Sequence, residues 1–82
     1  MKRTQQEINH VIFMLDKSKE KLPNFSAFGD DNWDAIDEQI EALKNQDNEG
    51  DIYEKGLSHH SESAAITAVQ WLNGEIEEDE LY

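Results

Sequence analysis

The chain contains no cysteine, a single proline, and only seven lysines and arginines against nineteen aspartates and glutamates. Each scarcity excludes something. Without thiols there is no disulfide framework and no thiolate metal site, so apolar packing must supply most of the stability, and a reducing, cytoplasmic setting is expected. The net charge of −12 sets the chain against polyanions, since like charges repel, and direct binding to nucleic acid or an anionic membrane surface is not expected. No run approaches the roughly 18 apolar residues that a membrane span needs. Met1-Lys2-Arg3 is basic, but the mixed stretch from Thr4 to Leu15 follows it in place of the apolar segment of a secretion signal. Eighty-two residues make one domain, and a chain this short buries about 60–65% of its unfolded surface, so one modest core is expected.

What is present is helical periodicity. Thr4-Gln5-Gln6-Glu7 reads as a capping box, in which the Thr4 hydroxyl and the Glu7 carboxylate each satisfy an orphan backbone donor. The helix that follows sets Ile8, Val11, Ile12 and Leu15 on one face, with Lys17, Lys19 and Lys21 toward the negative end of its dipole, and closes before Pro23. Residues Asn24 to Asn32 read as a loop pinned by Phe25 and Phe28. A second helix is expected from near Trp33 to Asn45, capped by Asp31 or Asn32, with Trp33, Ile36, Ile40 and Leu43 on its apolar side. Asp51 to Gly56 is read as a short helical turn. The last helix is capped by Ser58 or Ser61 and ends at Asn73-Gly74. Its Ala64, Ala65 and Ala68 permit close approach of another helix, and Ala65, Val69, Leu72 and Ile76 form its facing stripe. The expectation is an all-α domain of three to four helices over residues 1–74, with a short third element and a loose acidic tail over 75–82.

The charge is unevenly placed. Residues 1–22 carry five basic and three acidic groups, while 23–82 carry two and sixteen. Asp34, Asp37, Glu38 and Glu41 fall opposite the apolar side of the second helix, at about one negative charge per 2.6 Å of axis for a rise of about 1.5 Å per residue. Duplex DNA carries one per about 1.7 Å. Asp30, Asp31, Asp47, Glu49, Asp51 and Glu54 extend this stretch at both ends. Such a surface suits a cationic protein and speeds its association by electrostatic steering, whereas the bland alternative is a solvated helix face.

Other patterns are weaker. Asp30, Asn32, Asp34 and Glu41 match positions 1, 3, 5 and 12 of a calcium loop, but Ala35 stands where the sharp turn needs glycine. Ser58, His59, His60, Ser61 and Glu62 hold hydrolase residue types, yet neighbours on a helix point apart and a triad needs convergence. No enzyme activity, cofactor or metal is expected.

Two family resemblances accompany the acidic pattern. Leu22-Pro23, Phe28-Gly29 and Asn32-Trp33-Asp34-Ala35-Ile36 resemble the segment of the barstar family in which a loop and the next helix meet the ribonuclease. A capped first helix, an acidic second helix, Asp51-Ile52-Tyr53, and a last helix with Gln70-Trp71 ending at Asn73-Gly74 are similar in order to the colicin-type DNase immunity proteins. That second resemblance implies inhibitory contacts from the second helix and the Asp51–Glu54 element, with Tyr53 as an aromatic anchor. The expected role is an acidic, nucleic-acid-mimicking protein that inhibits or shields a basic nuclease, toxin or defence effector. Its expected contact set is Asp30, Asp31, Asp34, Asp37, Glu38, Glu41, Asp51, Tyr53 and Glu54. The competing expectation is a structural or regulatory adaptor working through apolar helix contacts, as a homodimer burying Phe25, Phe28 or Trp71.

Overall fold

The computed structural model describes residues 2–21 and 31–81, and of Asp31 and Asn32 the backbone alone. Within them the chain forms four α-helices and no strand: α1 (Gln5–Glu20), α2 (Asp31–Asn45), α3 (Glu49–Glu54) and α4 (His59–Leu72), followed by a 3-10 turn at Glu78–Glu80. No described helix is long and apolar enough to cross a membrane. Pro23 and the loop expected at Asn24 to Asn32, with Phe25, Phe28 and Asp30, lie outside the described residues as far as residue 30, and α2 begins at Asp31, two residues before Trp33.

Local chemistry sets the helix ends. Thr4 Oγ1 accepts from the Glu7 amide while Glu7 Oε1 accepts from the Thr4 amide, closing the box that starts α1. Asn48 and Asp51 repeat this arrangement at the start of α3, which explains why so short a helix forms at all. Ser58 caps α4. At the far ends of α2 and α4 the chain closes with the same paired hydrogen bonds. Asp47 N–H reaches the Ala42 carbonyl and Gln46 N–H the Leu43 carbonyl, just as Glu75 reaches Gln70 and Gly74 reaches Trp71. This closure needs a left-handed residue, supplied by Gly74 at φ 80° in α4 and by Gln46 at φ 52° in α2.

α2 is the central element, packing on α4 along one side and on α1 along the other. The main core joins Ile8, Val11 and Leu15 of α1, Ile40 and Leu43 of α2, and Ala68, Trp71 and Leu72 of α4. A smaller cluster of Ala42, Ile52, Ala65 and Val69 fixes α3 against α2 and α4. The apolar face of α2 is therefore wider than the stripe of Trp33, Ile36, Ile40 and Leu43, because Ala35, Gln39 and Ala42 are buried as well. Alanine at these positions of α2 and at Ala65 and Ala68 of α4 lets the two helices come close, and buried Gln39 donates from Nε2 to the Ala64 carbonyl at 3.2 Å.

Within the segment read as an acidic tail, Ile76 packs on the main core and Leu81 belongs to it at 9% exposure. Ile76 follows the stripe of Ala65, Val69 and Leu72, whereas Leu81 lies beyond any helical period of α4 and is buried because apolar surface is available to it.

Candidate functional site

Asp34, Asp37 and Glu41 project from the outer face of α2 into solvent, and Glu38 is half-buried beside them. Their common face follows from helical geometry, since positions 34, 37, 38 and 41 recur at three- and four-residue intervals. Asp51, Tyr53 and Glu54 are exposed on α3. Tyr53, at 58% exposure, is one of two large hydrophobic side chains left prominent on the described surface, the other being Phe13 at 56%.

Lys55 ties the two acidic elements together. Its ammonium lies 3.3 Å from Asp47, 3.6 Å from Glu41 and 3.8 Å from Glu38, so the end of α3 is held against the acidic face of α2. None of these contacts has good hydrogen-bond geometry, and Lys55 Nζ is inaccessible to solvent. Burial opposes the charge on Lys55, but the contact with Asp47 and the fields of Glu41, Asp47 and Glu38 outweigh it and raise its pKa above the ordinary lysine value. Lys19 of α1 reaches Asp37 in the same way and lies over the Trp33 ring at 4.6 Å. Asp51 is also committed, since its carboxylate accepts from the Asn48 amide.

Lysines thus neutralise part of this acidic face. Asp34, Asp37, Glu38 and Glu41 share a face, with Asp51, Tyr53 and Glu54 on the adjoining helix, while Asp30 lies outside the described residues and no side-chain position is assigned to Asp31. Sequence spacing did not reveal that Lys19 and Lys55 would sit among the carboxylates. Lys19 meets Asp37 from eighteen positions away, and no periodicity connects them. Alongside runs an open cleft of about 410 Å³, walled by Asp34, Asp37 and Glu38 and by the turn carrying Gly56, Leu57 and Ser58.

Asp34 and Glu41 stand on one continuous helix, so they cannot wrap a cation as a calcium loop does. Among the described residues no three histidines, aspartates or glutamates converge as metal ligands. His59 and His60 open α4 as exposed neighbours, and His10 faces Glu78 at 3.4 Å on the other side of the molecule, too scattered for triad chemistry. Compared with protein-family models, curated proteins and solved structures, the chain finds no match.

Proposed function

We propose that this chain is a binding protein that docks onto a basic protein through the joined faces of α2 and α3, and that the partner is a nuclease or another protein whose own groove accepts nucleic acid. The observation that carries this reading is Tyr53, exposed on α3 between Asp51 and Glu54 in the chain, on a helix whose end Lys55 holds against the acidic face of α2. An exposed aromatic side chain on an acidic helix suits a cationic surface with an apolar socket. The ring supplies contact area at low entropy cost, and the carboxylates steer approach and set the register.

The lysines refine this proposal. Lys19 and Lys55 lower the charge of the α2 face, so mimicry of a polynucleotide rests on Asp34, Glu54 and the outer oxygens of the paired carboxylates rather than on a bare row of charges. Much of the specificity then comes from shape around Tyr53. Asp34→Lys and Glu54→Lys together should abolish capture of the partner from lysate at low salt while the melting temperature stays within a few degrees. Tyr53→Ala should weaken the complex about tenfold to a hundredfold, the range of a hot-spot residue. Undiminished capture by both variants would remove the proposal, and a salt-insensitive homodimer in sedimentation would favour the adaptor instead.

A further inference from the structure

From Glu75 to Leu81 the chain carries five carboxylates in seven residues, interrupted by Ile76 and ended by Leu81. Its seat is narrow. Ile76 packs on the main core, Leu81 is buried in it, and a 3-10 turn at Glu78–Glu80 joins the two. Arg3, Glu7 and His10 face this segment across an open cleft of about 450 Å³ whose other lining includes Trp71, Glu77 and Glu78. Arg3 Nη2 donates to the Ile76 carbonyl at 2.7 Å, and His10 Nε2 lies 3.4 Å from Glu78 Oε1. Arg3 meets the segment through a backbone carbonyl and pairs with Glu7 at 3.7 Å, so it is not dedicated to the segment's five acids. The segment closes against a body that is itself strongly negative, so its own charge works against its seating.

We propose that Glu75–Leu81 is a releasable strap, pegged by Leu81 and opened by a multivalent cation such as a lysine-rich peptide. Beyond Glu75, whose amide closes α4 on the Gln70 carbonyl and which serves as the hinge, the helices do not depend on the strap for their hydrogen bonds. Gly74 closes α4 on the Trp71 carbonyl, and Arg3 reaches the Trp71 and Leu72 carbonyls independently of its bond to Ile76. Opening breaks the Arg3–Ile76 and His10–Glu78 contacts, withdraws Leu81, and uncovers apolar surface in the cluster shared by α1, α2 and α4. A cationic ligand favours the open form because it gathers carboxylates that the closed form shares with His10. The cleft beside the strap is lined by α1, α4 and the strap itself, and Leu81 meets α2 only through the core that it shares with Ile40 and Leu43, on the side of α2 opposite the docking surface proposed above.

Residue-resolved hydrogen exchange on the full chain tests this. The Glu80 and Leu81 amides, bonded to the Glu77 and Glu78 carbonyls, should exchange at least about tenfold faster than core amides of α2 and α4, the signature of a local opening. Added sodium chloride should slow them by screening repulsion, and a short oligolysine peptide should speed them, with the core amides unchanged in both cases. Leu81→Ala should accelerate the strap and leave α2 and α4 protected. Equal exchange of strap and core in the wild-type protein would overturn the proposal. So would strap amides indifferent to oligolysine, or loss of protection throughout α2 and α4 in Leu81→Ala.

Discussion

Arg3 joins the start of the chain to the end of α4. Its amide donates to the Leu72 carbonyl and its Nε to the Trp71 carbonyl, both at 2.9 Å, while the guanidinium lies over the Trp71 ring at 5.0 Å. A cation placed on carbonyls at a helix C-terminus satisfies orphan acceptors and opposes the dipole. Arg3→Ala should cost about 2–3 kcal/mol in urea unfolding, and Arg3→Lys should recover little of it because an ammonium lacks the planar fork. Lys55 is the other decisive single residue. Because its folded pKa is raised, its stabilising contribution is complete below the ordinary lysine value of 10.5 and is lost as pH rises through the folded value. Lys55→Met should flatten stability against pH above about 10.5 and cost about 1–2 kcal/mol at neutral pH, because Asp47, at 14% exposure, loses its counter-charge. Glu7 behaves oppositely. The Thr4 amide and hydroxyl, with Arg3, hold its pKa below 4.5, so its capping contribution is present above that value and fades as pH falls through the folded one.

At the scale of elements, the helix closures decide more than propensity does. Gln46 adopts φ 52° where Gly74 does the same work at the end of α4, and a side chain with a Cβ is strained there. Gln46→Gly should therefore stabilise the domain by about 0.5–1 kcal/mol and raise its melting temperature by a few degrees, despite losing a 3.3 Å side-chain contact to Gln5. The α2–α4 contact works by close approach, and Ala65 is fully buried within it. Ala65→Leu should cost about 1–3 kcal/mol by forcing the helices apart, measurable as a lower urea midpoint with an unchanged slope. Most of these elements were legible beforehand. The Thr4 box, the Ser58 cap and the Asn73-Gly74 ending lie where local sequence places them, and Ile8, Val11 and Leu15 follow the helical period into the core. Gln39 was not legible, because a polar residue is buried only if a neighbour offers it a partner, and that partner, the Ala64 carbonyl, belongs to another helix.

Across the whole molecule, charge and packing pull in different directions. A net charge of −12 on so small a body repels itself, so the melting temperature should rise as salt is added between about 0.01 and 0.15 M, where screening tightens from roughly 30 to 8 Å. A flat or falling response would mean that paired lysines dominate the charge balance. By itself, the amino-acid order determined the helical class, three of the four helix starts to within a residue or two, and the gathering of Asp34, Asp37, Glu38 and Glu41 on one face. All of these follow from capping chemistry and the 3.6-residue period, which act within one segment. Tertiary structure alone decided that α2 is buried along two sides, that Lys19 and Lys55 temper its carboxylates, and that Ile76 and Leu81 draw an acidic segment onto the core. Those outcomes depend on which groups meet across segments distant in sequence, and periodicity within a segment carries no information about its partner.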